Sequence, residues 1–387
     1  MNEKLINLLD FVSKNNHYYS SVLKDFKGNF EDIPFLTRQD IYEHGYSGDK
    51  TLVSRGMKVG YIFSTGGTTG KPKYIGYSFQ EFETVCQYLV ECYRGIDEQD
   101  LVANLFMAGN MWASFLFVSR ALEKIGCSIL PIAGNTDLML TKFFISNFRP
   151  NCIVGIPTQI VNVFENDWDF VRKIYYAGEN FLPQQIEFFK SRGCIIYSGG
   201  YASVDADIIG FQCSNIPIPL HHIFTSHQIV EIIDIDTGKP ITELNQVGEI
   251  VVTNLDRYLC PIIRYRTGDL GKWVKSSCGC NLPTIELIGR YDDWIRLASF
   301  DFYYQDFAYV FYPYPITLVI NKQDSLVTVL VQSSSEISQK QIHEYIELLK
   351  NRNWQLKEGI ESNLIKVQIK SVSQLPSTNK KINVIYE

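Results

Sequence analysis

The chain has 387 residues, of which 45% are hydrophobic and 20% charged, and a formal net charge of -6 at pH 7. That length exceeds what one hydrophobic core usually supports and predicts two domains, while the composition excludes a disordered or fibrous chain. The acidic balance argues against non-specific nucleic-acid binding, and no stretch approaches the roughly twenty apolar residues of a membrane span, so a cytoplasmic protein with neither nucleic acid nor membrane as partner is expected.

Residues 1–60 read as mostly helical, with Leu5, Leu8, Leu9 and Val12 on one face and a second helix start at Thr37-Arg38-Gln39-Asp40. A strand-like run, Val59 to Phe63, then leads into Ser64-Thr65-Gly66-Gly67-Thr68-Thr69-Gly70-Lys71-Pro72-Lys73, and a helix-like stretch opens at Ser78. Three glycines, four hydroxyls and two lysines describe a backbone-and-hydroxyl cradle for a polyphosphate. Glycine lets successive amides turn toward an anion, hydroxyls donate to non-bridging oxygens, and lysine offsets charge. The spacing excludes a Walker loop, since Pro72 follows the lysine after Gly70 where Ser or Thr is required.

From Val102 to Ser198 apolar strands alternate with amphipathic helices, which predicts a largely parallel sheet flanked by helices. The expected elements are a strand at Leu101 to Met107, a helix at Ala113 to Lys124, a strand at Cys127 to Ile132, a helix at Leu138 to Asn147 and a strand at Cys152 to Gly155. After Val230 short strands and turns predict a β-rich subdomain, including Ile229 to Ile235 and Gly248 to Asn254. Beyond Arg290 the order is strand (Pro315 to Ile320), strand (Leu326 to Gln332), helix (Gln339 to Asn351) and strand (Leu364 to Ile369), a βαβ-like tail. The 23 tyrosines and 24 phenylalanines are expected mainly in the core.

Nine cysteines, an odd number in wide scatter, exclude a disulfide framework. Cys86, Cys92, Cys127, Cys152 and Cys194 read as small buried hydrophobes. Cys213, one of His221 and His222, Cys278 and Cys280 would complete a four-ligand zinc set. With every position filled by protein, such a site would be structural and would pin the loop before Ile285 to the Asp205 region.

The Ser64–Lys73 stretch, with Gly-Lys-Pro-Lys at its end, resembles the phosphate loop of the adenylate-forming superfamily: acyl-CoA synthetases, aryl-acid ligases and peptide-synthetase adenylation domains. Further motifs follow in the order that the resemblance implies. Gly178-Glu179 resembles the adenine-side turn, and Tyr201-Ala-Ser-Val-Asp205 the aromatic-to-acid motif, whose tyrosine faces adenine and whose acid, usually glutamate, helps hold Mg²⁺. Arg264-Tyr-Arg-Thr-Gly-Asp269 resembles the segment whose aspartate bonds the ribose hydroxyls, and Gly289-Arg290-Tyr-Asp-Asp293 the domain hinge, with Arg290 near ribose and phosphate. A carboxylate suits a diol because its two oxygens can take both O–H donors.

Asn254-Leu-Asp-Arg-Tyr-Leu-Cys-Pro261 through Asp269 and Ile33-Pro-Phe-Leu-Thr-Arg-Gln-Asp40 are similar to the phenylacetate-CoA ligase-like branch, and the Tyr201 to Cys213 stretch to its deazaflavin-coenzyme synthetases. Asn104 to Phe115 resembles phenazine-carboxylate-activating relatives. Some members of that branch carry a structural zinc at segments similar to those of Cys213 and Cys278. The fold implied is α/β: a large N-terminal ATP- and acid-binding domain, residues 1–290, with a mostly parallel sheet and a β-rich subdomain, and a small mobile α+β C-terminal lid, residues 291–387.

The resemblance implies ATP-dependent adenylation of a carboxylic acid, aromatic by the branch, with pyrophosphate release and acyl transfer to CoA, a carrier-protein thiol, an amine or a reductase. Thr65, Thr68, Thr69 and Lys73 would face the β and γ phosphates, Asp205 Mg²⁺, and Lys381, in the place of the lid's catalytic lysine, the reacting centre. Phe106, Trp112 and Tyr197 would line the acid pocket. Two departures stand out: Lys380 replaces a glycine, and Ser299, with Tyr303 and Tyr304 nearby, replaces the glycine that lines the thiol passage, which argues against CoA. Adenylyl transfer onto a cofactor hydroxyl, or a degenerate nucleotide-binding protein, are the alternative readings.

Overall fold

The computed structural model describes residues 2–65, 73–134, 136–165, 167–291, 294–297, 300–376 and 384–386. These fall into two compact units, one running from the N-terminus to Ile288 without Gly268–Leu270, the other comprising Gly268–Leu270 and the chain from Gly289 onward. Among the described residues no helix is long and apolar enough to cross a membrane.

Local signals account for the start of the first unit. Asn2 caps the helix Glu3–Asn15, which buries Leu5, Leu8, Leu9 and Val12. A reciprocal capping box between Thr37 and Asp40 starts Arg38–His44, and another between Ser78 and Glu81 starts Phe79–Cys92. Between them, Tyr61–Ser64 pairs antiparallel with Tyr74–Tyr77.

A five-stranded sheet follows in the order Ser128–Leu130, Leu101–Asn104, Cys152–Gly155, Lys173–Tyr176, Ile195–Ser198, and every pairing in it is parallel. The helices Ser114–Ile125, Leu138–Phe148, Pro157–Val163 and Pro183–Ser191 connect its strands. Continuous apolar strands such as Cys152–Gly155, buried at all four positions, are what a sheet covered on both faces requires. The chain then builds a seven-stranded sheet whose pairings include antiparallel Gln228–Ile233 with Val247–Asn254, and Leu220–Ile223 with Asp207–Phe211 on one side and Thr284–Arg290 on the other. Of the cysteines expected inside, Cys86, Cys92, Cys152 and Cys194 are buried and Cys127 is only half-buried.

The second unit holds a four-stranded sheet in the order Lys366–Val372, Leu326–Gln332, Ile316–Asn321, Val384–Tyr386. Its core includes Phe302, Phe307, Phe311, Leu318, Val329 and Leu356. Two helices here, Tyr304–Phe311 and Trp354–Glu361, lie outside the elements expected from the sequence. Asn353 caps the latter, and its Gly359 is closely packed, since a Cβ there would lie 2.6 Å from Ile365 Cδ1 and 3.1 Å from Phe300 Cδ2.

Candidate active site and metal centre

The residues singled out for adenine and acid collect at the carboxyl ends of the parallel strands. Phe106 and Trp112 follow Leu101–Asn104, Gly178 and Glu179 follow Lys173–Tyr176, and Tyr201 follows Ile195–Ser198. Leu101–Asn104 connects outward to Ser128–Leu130 while its other neighbour, Cys152–Gly155, connects to Lys173–Tyr176, so the connections leave these two adjacent strands in opposite directions. Ligand crevices in open α/β sheets form at such reversals. Phe106 is buried, Trp112 is half-buried, and Tyr197 stacks on Tyr175 at 4.9 Å. Glu179 accepts from the Thr158 hydroxyl at 2.5 Å, and Gly178 turns with φ +84°.

Lys73 and Asp205 were expected to serve phosphate and Mg²⁺ separately, but they meet directly. Lys73 Nζ donates to Asp205 Oδ2 at 2.5 Å, and the Tyr265 hydroxyl donates to the same oxygen at 2.7 Å. Both charged side chains are buried, which an ion pair tolerates and a lone charge does not. Among the described residues, Asp205 Oδ1 and Thr65 Oγ1 are buried without a hydrogen-bond partner. Native interiors rarely leave such atoms orphaned, and a carboxylate oxygen and a hydroxyl suit a divalent cation and a phosphate oxygen. The residues present therefore fit Mg²⁺ and a nucleotide. Tyr265 lies inside a motif quoted above, yet nothing in the linear pattern indicates that its hydroxyl reaches Asp205.

Ser64 ends the strand Tyr61–Ser64, and its amide donates to the Met111 carbonyl at 2.8 Å. Gly66, Gly67, Thr68, Thr69, Gly70, Lys380, Lys381 and Ser299 lie outside the described residues. In the second unit, Arg290 Nη1 donates to Asp269 Oδ1 at 2.8 Å, so the two residues assigned to ribose face each other. Tyr304 packs against the core of its unit and donates to the Ile316 carbonyl at 3.2 Å.

Cys213, His222, Cys278 and Cys280 converge, their ligand atoms all within 4.8 Å of one another. A zinc tetrahedron with 2.3 Å bonds to sulfur has edges of about 3.8 Å, so binding requires closure by about 1 Å. His222 is the histidine in this set, and its Nε2 lies 3.2 Å from Cys278 Sγ. Its Nδ1 meets Thr284 Oγ1 at 2.8 Å, the kind of outer contact that orients an imidazole ligand. Hydrogen bonds from the Ser276 hydroxyl and the Cys280 amide bring the Cys278 thiol down to about 7, favouring the thiolate that metals bind. His221, the other candidate, points elsewhere and contacts Ser198 Oγ and the Pro219 carbonyl. Adjacent strand residues face opposite sides, so Leu220–Ile223 could present only one of the pair to this cluster.

The model of the AMP-binding enzyme family matches residues 17–255. The chain belongs to that family. Within the AMP-binding enzymes it is 26% identical over 330 residues to a phenylacetate-coenzyme A ligase of Thermus thermophilus, covering 78% of this chain and 72% of the relative. A phenylacetate-coenzyme A ligase of Aromatoleum evansii is 25% identical, covering 69% of this chain and 62% of the relative. The chain thus lies in the phenylacetate-CoA ligase-like branch of the adenylate-forming superfamily. Its fold is similar to that of a 2-hydroxyisobutyryl-CoA ligase in complex with 2-HIB-AMP in the postadenylation state, with a TM-score of 0.76, 16% identity and coverage of 99% of this chain and 88% of that one. The anthranilate CoA ligase AuaEII in complex with anthranoyl-AMP matches with a TM-score of 0.61, 15% identity and coverage of 85% and 67%.

Proposed function

We infer that this AMP-binding enzyme is an ATP-dependent acid ligase that adenylates a carboxylic acid, releases pyrophosphate and passes the acyl group to CoA. The observation that carries the reading is the pair of orphaned buried oxygens, Asp205 Oδ1 and Thr65 Oγ1, on two residues that both hydrogen-bond to Lys73. The phenylacetate-CoA ligase relatives favour an aromatic acid and CoA as acceptor.

In the proposed reaction the carboxylate attacks the α-phosphate in line, the phosphorus–oxygen bond to the β-phosphate breaks, and pyrophosphate leaves. The chain contributes position and charge. Thr65, Thr68, Thr69 and Lys73 bind the β and γ phosphates, Tyr201 stacks on adenine beside Gly178 and Glu179, and Asp269 and Arg290 take the ribose. Asp205 would hold Mg²⁺, which would supply charge neutralisation at the phosphates. Lys381, carried by a lid comprising residues 291–387, meets the charge that builds at the reacting centre. Phe106, Trp112 and Tyr197 bound the acid. Cys213, His222, Cys278 and Cys280 hold a structural zinc.

Pyrophosphate release from ATP and Mg²⁺ across aryl, arylacetic, phenazine and aliphatic acids, with and without CoA, tests the reading. Acid-dependent release and a CoA thioester are expected. Intact ATP binding with no acid-dependent release across the panel would refute it.

A further inference from the structure

The Cys/His cluster and the Ser198–Tyr201 turn are joined by two pairs of adjacent residues. In the first pair, Cys213 belongs to the cluster while Gln212 Oε1 accepts from the Ser198 amide at 2.7 Å. In the second, His222 belongs to the cluster while His221 Nε2 and Ser198 Oγ lie 2.7 Å apart. Ser198 is therefore held at its amide and at its hydroxyl by the immediate neighbours of two cluster residues.

The directions of these bonds follow from chemistry. His221 Nδ1 lies 3.0 Å from the Pro219 carbonyl, which can only accept, so Nδ1 carries the proton and Nε2 accepts from the Ser198 hydroxyl. Ser198 Oγ in turn accepts from the Gly200 amide at 3.2 Å. Gly200 sits at φ +103°, and a Cβ there would lie 2.7 Å from Ile208 Cδ1 and 2.8 Å from Cys92 Sγ. The turn is thus backed closely by packing and held by the Ser198 hydroxyl on the Gly200 amide and by the Gly199 amide on the Tyr176 carbonyl at 2.7 Å, with Tyr201 following Gly200. Ser198, Gln212, His221 and Tyr201 are all buried, so these bonds compete little with water.

We propose that His221 is a positioning residue for the Ser198–Tyr201 turn, and that metal in the Cys213–His222–Cys278–Cys280 cluster sets the nucleotide-binding geometry of Tyr201 through the His221–Ser198 and Gln212–Ser198 links. The proposal rests on the reading above that Tyr201 faces adenine. A metal that closes the four ligands shifts or stiffens Cys213 and His222, and each neighbour transmits the change to the same serine.

The test uses the full chain and AMP. Wild type, Ser198→Ala and His221→Phe are titrated with AMP by calorimetry, as purified and after chelation, with metal counted by elemental analysis and folding checked by thermal melts. Each variant is expected to bind AMP about tenfold more weakly than wild type, as outer-contact changes commonly do. Chelation is expected to weaken wild-type binding by a similar factor and to leave the folded variants within about twofold of their own values, because the link is already cut. Equal loss on chelation in all three proteins, or wild-type affinity in either folded variant, overturns the proposal. A wild type that carries no metal as purified removes the cluster from it, and the AMP affinities of the variants then decide the His221 role alone. A wild type that is folded and does not bind AMP refutes the nucleotide reading itself, and this proposal with it.

Discussion

Lys73 Nζ and Asp205 Oδ2 are 2.5 Å apart in an ion pair whose side chains are only 3% and 10% exposed. Removing one partner leaves an uncompensated buried charge, which costs about 3–5 kcal/mol. Lys73→Met is therefore expected to destabilise the protein by that amount in urea unfolding at pH 7. Adding Asp205→Asn should recover a substantial part, since the orphaned charge is then gone. A Lys73→Met loss of less than about 1 kcal/mol would show that the pair is solvated.

Tyr265 donates to the Asp205 oxygen that Lys73 uses and leaves Oδ1 open. Hydrogen bonds to charged groups contribute about 1.5–3 kcal/mol, so Tyr265→Phe should raise the Mg²⁺ concentration needed for half-maximal pyrophosphate release by roughly tenfold or more. The ring keeps its place, and acid KM should change little. An Mg²⁺ titration that superimposes on wild type would contradict a role for this hydroxyl in aiming Asp205.

Stability should fall as the solution becomes alkaline. His227 Nε2 lies 2.7 Å from Asp207 Oδ1 and its Nδ1 2.7 Å from Asp256 Oδ2, with Tyr88 stacked on the ring, Lys4 on Asp256 and Arg257 4.0 Å from Asp207. Burial alone would push the imidazole down, but the two carboxylates overcome it and lift it to about 9. A group raised on folding contributes its full stabilisation below its unfolded value near 6.5 and loses it as pH climbs through its folded value. The effect is on the order of 3 kcal/mol between about pH 6.5 and 9. Unfolding free energy measured across that window should decline, and His227→Gln should flatten the decline. An equal slope in the variant would assign the effect to other groups.

Zinc should be present near one equivalent in protein prepared without added metal. Cys278→Ser removes a sulfur 3.2 Å from His222 Nε2 and should lose the metal and lower the melting temperature by on the order of 5 °C. Elemental analysis and thermal melts of the same samples check both statements. Unaltered zinc content in the variant would displace Cys278 from the ligand set.

How much was legible in the chain follows from the range of each force. The helix starts at Thr37 and Ser78 rest on a side chain and an amide three residues apart, and the face of Leu5, Leu8, Leu9 and Val12 rests on helical period. Both are local, so both can be read in one dimension. The three cysteines of the cluster were visible as residue types, with the histidine open between His221 and His222, and the order of the motifs from Ser64 to Arg290 pointed to the AMP-binding enzymes.

Pairing was decided elsewhere. Strand alternation sends His222 toward the cluster and His221 toward Ser198, and that choice depends on the register of Leu220–Ile223 against Thr284–Arg290. The Lys73–Asp205 and Tyr265–Asp205 bonds close across 132 and 60 residues of chain, distances over which composition carries no angle or distance. The sequence by itself determined which chemistry is available, because residue types and local periods are written in it. Which atoms meet was decided only by tertiary structure, because burial drives charges and hydroxyls onto the partners that packing brings within reach.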